Sequence, residues 1–297
     1  MDYCRLVSIY ESLGRVSSKL EKTRILAEFF REIPPPDLEK VVLLVQGRVF
    51  PRFSSYELGI AAQMMIKAVS KFTGFPSEEI EDRFREMGDL GLVAEEYVEK
   101  RKQVIPSAGR LTIDRVFGNL RKLAFIRGAG SQDRKFAVIG ELLASAKPKE
   151  ARYTVKTVLG ELRVGVAEGI IRDAITEAFL LRKGMDKEEK RKLRELVDYA
   201  WNITSDYGEV ARIAKMEGAD GLRRVRLRLG RPFQVMLGLS AKSIDEIIGK
   251  FGKVAAEWKY DGVRIIIEKG GSRIWLFTRR LEDITEQFPD IVELAEK

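Results

Sequence analysis

The pattern of hydrophobic and polar residues divides the chain into a long helical part and a shorter part of mixed type. Up to about Gly218, apolar residues recur at helical spacing. Ser18 with Glu21 and Ser54 with Glu57 have the spacing of helix capping boxes, so we expect a helix to begin after each serine. The predicted helices cover about 57–72, 77–87, 112–126, 132–146, 149–159, 166–182 and 186–203.

After Gly218 the period becomes two residues. Alternation of leucine or valine with arginine over 225–229 predicts a short strand with one basic face, and 243–251 predicts a short helix. Three further apolar runs, at 254–260, 263–269 and 273–278, are separated by Asp-Gly and Gly-Gly pairs that are typical of hairpin turns. A final helix is expected after Pro289. We therefore predict an all-α domain over 1–218 and an α/β domain over 219–297.

The amino-acid composition limits the classes of protein to which the chain could belong. A net charge of +8 and a pI near 9.4 suit a polyanionic partner, although ordinary solubility charge is an equal alternative. The chain has no histidine, which excludes histidine-based catalysis and histidine-ligated metals. One cysteine cannot form an internal disulfide, so we expect an intracellular, cytoplasmic protein. No apolar run reaches the ~20 residues that span a bilayer, so we expect no membrane association.

Two glycine-containing loops, 127–132 and 160–165, lie where the pattern predicts helix starts. Glycine lets the backbone approach a ligand closely, and free N–H groups at a helix N-terminus attract phosphates. The alternative is that both are simple turns between helices. A run of five arginines over 223–231 leaves a similar choice between a solvated face and a contact with a nucleic acid strand.

The segment 257–264, Glu-Trp-Lys-Tyr-Asp-Gly-Val-Arg, carries the clearest candidate chemistry. On a strand, Glu257, Lys259 and Asp261 share one face. A hairpin with a wet polar face would explain the alternation, but the flanks 254–256 and 265–267 are apolar on both faces and predict a buried strand. A lysine must be neutral to attack, and burial or a nearby cation such as Arg264 favours that form. We therefore predict a lysine that attacks a nucleotide phosphate and carries the nucleotide covalently.

The same residues form the motif Lys-x-Asp-Gly-x-Arg (Lys259, Asp261, Gly262 and Arg264), and the chain resembles the archaeal and eukaryotic-type ATP-dependent DNA ligases. The segment 277–283, followed by 288–291, resembles the next ligase motif, with Arg279 as its arginine. The resemblance implies that Lys259 is adenylylated by ATP and that Glu257 contacts the adenine. It also implies that Arg264 and Arg279 contact the ribose and phosphates, with Mg²⁺ neutralising charge.

The resemblance extends to the helical part through 88–95, 130–132, 150–152 and 160–168. It implies a helical domain that grips the minor groove of nicked double-stranded DNA through backbone amides of the two loops. The DNA contacts expected on this basis are Gly128, Gly130, Ser131, Gly160, Arg163 and Gly165. Ligases often bind the sliding clamp through a segment that corresponds to 102–106, where this chain has Gln103 but lacks the paired aromatic residues.

The resemblance implies a monomeric ligase that seals nicks in replication, repair and recombination. An RNA ligase or mRNA-capping type of nucleotidyltransferase uses the same lysine chemistry and is the alternative among enzymes. The alternative outside enzymes is a duplex-binding module without turnover. The chain ends 38 residues after Lys259, before the later strand motifs of the family and its C-terminal OB-fold. We therefore expect the adenylation domain to be incomplete and ligation by this polypeptide alone to be very weak.

Overall fold

The structure, a computed structural model, describes residues 1–101, 109–235, 238 and 240–297. The first three quarters of the chain is helical. Its helices are α1 (Tyr3–Arg15), α2 (Lys19–Glu32), α3 (Pro35–Val45), α4 (Ala62–Thr73), α5 (Ser77–Met87), α6 (Leu90–Lys100), α7 (Ile113–Phe125), α8 (Ser131–Ser145), α9 (Pro148–Val158), α10 (Glu168–Phe179), α11 (Lys187–Thr204) and α12 (Tyr207–Arg223). The helices α5, α7, α8, α9 and α11 lie within a residue or two of their predicted bounds.

The two predicted capping boxes have different outcomes. Ser18 caps α2, because its hydroxyl accepts a hydrogen bond from the Glu21 N–H at 3.4 Å. The prediction at Ser54 is wrong. The Ser54 hydroxyl accepts from the Tyr56 N–H in a local turn, and α4 begins only at Ala62. The residues between them form no helix: the Lys135 ammonium donates to the carbonyls of Leu58 and Gly59, and Gly59 has φ 61°, outside the right-handed helical range.

Helices α1–α12 enclose one continuous hydrophobic core, which extends from Tyr3 to Val225. Tyr3, Tyr10 and Phe30 are fully buried in it. The Tyr10 hydroxyl donates to the Leu44 carbonyl at 2.9 Å, so a polar group in the middle of the core has its partner. A core of this size fixes the loops between the helices, and it is these loops that carry the candidate DNA contacts.

The rest of the chain contains fewer packed elements. Helix α13 (Ile244–Phe251) is followed by strands β1 (Ile265–Gly270) and β2 (Arg273–Thr278) and by helix α14 (Pro289–Glu296). The strands pair antiparallel with Gly270 opposite Arg273, which confirms the hairpin predicted at the glycine pair. Buried Ile274, Leu276 and Ile284 form a small second core against α14.

Two predicted strands are absent from the described residues. Over 225–229 Val225 is buried, Leu227 and Leu229 are exposed, and the only pairing is an isolated bridge between Arg228 and Arg231. The strand prediction at 254–260 is also wrong: this segment has no ladder partner among the residues that the structure describes, and its side chains are exposed. A strand requires a hydrogen-bonding neighbour, and in the described residues β1 pairs only with β2. For the same reason the Asp-Gly pair at 261–262 closes no hairpin.

The turn between Arg228 and Arg231 joins the helical part to the hairpin. On one side the buried Glu209 of α12 forms ion pairs with Arg228, at 2.8 Å, and with Arg231. On the other side the N–H of Gly230 donates to the Glu268 carboxylate of β1 at 2.7 Å. The turn is therefore anchored in both parts of the molecule. We call these residues, 228–231, the linker turn.

Within the described residues, every helix is too short or too polar to cross a membrane.

Candidate functional site

An open cleft of 850 Å³ lies between the extended lysine segment and the end of β2. It brings together three of the residues that the sequence singled out, Lys259, Arg264 and Arg279. Arg280 and Thr278 also line it, and sequence reasoning missed their contribution. The repeated arginine directly after Arg279 was the available signal. Glu257 is not among the lining residues, so the cleft holds three of the four predicted nucleotide contacts.

A tight loop after β2 places the two arginines at the edge of the cleft. The Thr278 N–H donates to the Glu282 carbonyl at 2.9 Å, and the Leu281 N–H donates back to the Thr278 carbonyl at 2.8 Å. The Thr278 hydroxyl accepts from the N–H groups of Arg280 and Glu282, each at 3.2 Å. Leu281 is buried with φ 69°, a left-handed conformation that a leucine adopts only when its surroundings impose it. Burial of Leu281 thus leaves Arg279 and Arg280 exposed at the tip.

The cleft is strongly cationic. Four basic side chains line it against two carboxylates, those of Asp261 and Glu282. None of these four cations, Lys259, Arg264, Arg279 and Arg280, forms an ion pair with a described residue. The expected burial of the lysine is wrong, since all residues from 251 to 264 are exposed. An open site with uncompensated positive charge suits a ligand with several phosphate groups.

The first glycine loop, 127–131, has the geometry that the sequence predicted. Gly130 is the N-cap of α8 with φ 69°, and Gly128 has φ 82°. The Arg134 guanidinium donates to the carbonyls of Ala129 at 3.1 Å and Arg127 at 2.8 Å. The loop carbonyls are thus drawn towards the protein, and the exposed glycines face solvent at the start of the helix.

The second glycine loop, 160–165, is fixed differently. Gly160 and Gly165 both have φ near 70°, but Gly160 follows the end of α9, and α10 begins only at Glu168. The helix predicted from about residue 166 therefore follows this loop, two residues later than expected. The buried Lys22 donates to the carbonyls of Val164 at 3.0 Å and Gly165 at 3.1 Å, which sets the path of the loop. Arg163 remains exposed.

Two grooves in the helical part connect these loops. The first, of 470 Å³, lies between residues 47–60 and the end of α9, and Gly160 lines it; we call it the Gly160 groove. The second, of 700 Å³, lies between α4 and the start of α8, and Gln132 lines it; we call it the Gln132 groove. Gly59 lines both, so the two grooves form one continuous surface from loop to loop.

Basic residues that sequence reasoning did not select line both grooves. Arg48 and Arg52 lie in the Gly160 groove, and Lys67 and Lys71 in the Gln132 groove. The i, i+4 spacing of the two lysines on the polar face of α4 was a readable signal. No such signal marks Arg48. Desolvation and the neighbouring Arg52 guanidinium lower the pKa of Arg48. A bound anion would stabilise the charged guanidinium of Arg48 and so offset this lowering of its pKa.

The arginine run at 223–231 mostly pairs within the protein. Besides the two arginines on Glu209, Arg223 pairs with Asp220 at 2.5 Å and Arg224 with Glu217 at 2.8 Å. These contacts favour a structural role for the run over a contact with nucleic acid.

Comparison with known proteins assigns the family. Residues 2–176, more than half of the chain, match the family described as "DNA ligase N terminus", and residues 235–297 match "ATP dependent DNA ligase domain". The chain belongs to the DNA ligase family. It is helix-rich and comprises the N-terminal ligase domain and the start of the adenylation domain.

Several archaeal DNA ligases are similar over the whole of this ligase chain. Identity is 43% with that of Nanoarchaeum equitans, 42% with that of Thermococcus fumicolans and 42% with that of Methanothermobacter thermautotrophicus. Each match covers 99% of the chain and 50%, 51% and 51% of the respective relative. The chain thus spans about half the length of the curated relatives that it matches. The clamp-binding segment predicted around Gln103 lies outside the described residues.

Proposed function

We propose that this chain is the nick-binding and nucleotide-accepting part of an ATP-dependent DNA ligase that seals nicks in duplex DNA during replication, repair and recombination. The observation that supports this most directly is the cationic cleft that gathers Lys259, Arg264 and Arg279, in a chain of the DNA ligase family. The enzyme acts as an intracellular monomer. Binding of a sliding clamp through the segment around Gln103 remains part of the proposal.

In the proposed reaction the Lys259 amine, as the free base, attacks the α-phosphorus of ATP. A phosphorus–nitrogen bond forms while the bond to the β-phosphate oxygen breaks, and pyrophosphate leaves. The AMP then passes to the 5′-phosphate at the nick, and the 3′-hydroxyl displaces AMP to close the strand. Arg264, Arg279 and Arg280 hold the phosphate oxygens, and donors fixed in advance stabilise the charge that develops on them.

Magnesium fits the site in a limited way. In the part of the chain that the structure describes, no three carboxylate or cysteine side chains cluster as a metal cage. The cleft offers Asp261 and Glu282, and Mg²⁺ at nucleotide sites often binds one or two carboxylates together with phosphate oxygens. When bound there, the ion would neutralise charge on the phosphates. Glu257 is proposed to contact the adenine, which requires it to move into the cleft.

The helical part is proposed to hold the nicked duplex. The continuous surface formed by the Gly160 and Gln132 grooves runs between the two loops, and we propose that the duplex backbone contacts the loops at Gly128, Gly130, Ser131, Gly160, Arg163 and Gly165. Arg48, Arg52, Lys67 and Lys71 supply cations along the same surface. This helical part favours a DNA substrate over the RNA ligase and capping-enzyme alternative, since residues 2–176 of it match the family described as "DNA ligase N terminus".

A labelling experiment tests the lysine. The 297-residue chain is incubated with Mg²⁺ and ATP labelled at the α-phosphate, denatured and examined for covalently bound label. Lys259→Ala should reduce the label to background, and the matched control Lys253→Ala, an exposed lysine six residues upstream, should not. Equal labelling of Lys259→Ala would contradict the assignment. An unlabelled wild-type chain that still binds nicked DNA would support the non-catalytic alternative.

A salt titration tests the groove. Each cation on a phosphate contributes roughly 0.9 to the slope of log K against log salt concentration. Arg48→Ala should therefore weaken binding to a nicked duplex and lower the slope by about one unit. Arg223→Ala, an arginine paired with Asp220 outside the grooves, should leave the slope unchanged. An unaltered slope for Arg48→Ala would remove this residue from the contact surface.

A further inference from the structure

Two aromatic rings lie exposed on the surface between the glycine loops. Tyr56 is 44% exposed and Phe125 is 55% exposed. Their ring centroids are 4.8 Å apart in an edge-on arrangement, and both rest on the buried ring of Phe50, at 5.3 and 5.9 Å. Because three rings pack together, the two outer rings are held in place rather than free to turn away from solvent. We call Tyr56 and Phe125 the aromatic pair.

The aromatic pair lies within the proposed DNA surface. Tyr56 lines the Gly160 groove, and Phe125 is the last residue of α7, three positions before Gly128 of the first glycine loop. The Arg121 guanidinium lies over the Phe50 ring, 4.7 Å from its centroid. The pair is thus a small apolar surface with basic residues around it. Phosphate binding needs only backbone amides and cations, so it does not explain an apolar surface at this place. The packing of the helical core does not require one either.

The chemistry of a duplex backbone accounts for this combination. Along each strand, charged phosphates alternate with deoxyribose rings, and the sugars form the walls of the minor groove. Cations and backbone amides serve the phosphates, whereas an apolar ring beside them complements a sugar face. A ribose would place a 2′-hydroxyl against the rings, where it would lose its water without gaining a partner.

We propose that Tyr56 and Phe125 pack against deoxyribose in the bound duplex and make the helical part discriminate against ribonucleotides near the nick. This inference rests on the proposed function, and it adds a residue pair that determines the substrate class. The surrounding positive charge favours a nucleic acid over an apolar protein partner, because an apolar partner would have to desolvate the cations without compensating them.

Binding of the 297-residue chain to nicked DNA duplexes, measured by fluorescence anisotropy, tests the pair. A single ribonucleotide is moved along each strand around the nick. The wild type should bind roughly tenfold more weakly when the ribonucleotide lies at the position that the two rings contact, as expected for a hydroxyl desolvated without a partner. Tyr56→Ala combined with Phe125→Ala should bind all these duplexes about equally, with a salt slope identical to that of the wild type, since no ionic contact is lost.

Two further variants keep the test decisive. Phe125→Gln, a change at an exposed helix end, should lose about half of the discrimination (on a logarithmic scale) even if the double variant proves unstable. Tyr199→Ala alters an aromatic residue of similar exposure, 48%, on α11 and should change nothing.

The outcomes separate the two proposals. Unchanged discrimination in Phe125→Gln and in the double variant, with DNA still bound, would overturn the inference alone. A wild type that does not bind nicked DNA would overturn the proposed function. If a protein partner, and not DNA, covered Tyr56 and Phe125, this surface would serve protein association. That result would also overturn the inference.

Discussion

The helical part and the hairpin part differ in what holds them together. Helices α1–α12 share one large core, and two of the loops between them are braced by buried or half-buried cations, Lys22 and Lys135. The hairpin part buries Ile274, Leu276 and Ile284, while Lys259 lies on an exposed segment without a strand partner. The proposed DNA surface is therefore formed in advance. In the proposed nucleotide site, the hydrogen-bonded loop that carries Arg279 faces Lys259, which lies on the exposed segment.

The largest expected effect tests whether the two cores are separate. Phe30→Ala should cost about 3–5 kcal/mol of the free energy of unfolding, because it empties a fully buried site in the large core. Leu276→Ala should lower the stability of the hairpin alone, by about 2–4 kcal/mol. Urea unfolding in a Trp201→Phe, Trp258→Phe background measures both, with far-UV circular dichroism for the helices and Trp275 fluorescence for the hairpin. Leu294→Ala, at a 69% exposed position, is the control.

If Leu276→Ala shifted the helical transition as much as Phe30→Ala does, the two parts would unfold as one unit, and the comparison drawn above would not hold.

The second effect concerns the linker turn. Glu209→Gln leaves two arginines without their carboxylate, and we expect a loss of about 2 kcal/mol, moderated because Arg228 is well exposed. Proteolysis between residues 226 and 235 should become faster as the turn detaches. Glu217→Gln on the same helix breaks the exposed pair with Arg224 and should cost under about 1 kcal/mol. Equal protease sensitivity of the two variants would show that Glu209 does not anchor the turn.

The smallest effect is a pH dependence at the same corner. Burial, together with the carboxylates of Glu39 and Glu209, raises the pKa of Asp206 to about 6. The folded state then binds a proton that the unfolded state releases near pH 4, so the contribution of Asp206 to stability should fall as pH rises from about 4 to 6. Asp206→Asn keeps the oxygen that accepts from the N–H groups of Gly208 and Glu209. It should be more stable than the wild type by about 2 kcal/mol at pH 7 and lose this slope.

Thermal unfolding at pH 4, 5, 6 and 7 measures the difference. A stability difference between the wild type and Asp206→Asn that stays constant over this range, or that shrinks as pH rises, would contradict the assigned direction for Asp206.

The sequence predicted the elements that local interactions determine. Helix α2 begins at Ser18 because its cap and its apolar stripe lie within one stretch of chain. At Ser54 the prediction failed because Lys135, a residue 81 positions away, donates to the carbonyls of Leu58 and Gly59, which a helix over these residues would use for its own hydrogen bonds. The failed strand at 254–260 has the same kind of cause, since apolar alternation predicts a strand only where another strand is available to pair with it.

For the candidate site, the lysine motif identified Lys259 and Arg264 and the segment 277–283 identified Arg279, and the structure gathers the three in one cleft. The motifs could not identify Arg48, because the significance of that arginine depends on a groove formed by residues 47–60 and α9, which no local pattern contains. The roles of all these residues remain proposals, for which the labelling and binding experiments are designed.

The linker turn also bears on how the proposed nucleotide site would reach a nick. Glu209 and Glu268 hold the same four residues from opposite sides, so the hairpin cannot drift far from the helices. Once the helical grooves have bound a duplex, the lysine segment searches only a small volume around it. Short tethers of this kind give effective concentrations on the order of millimolar, so a site with weak intrinsic affinity for DNA would still be occupied.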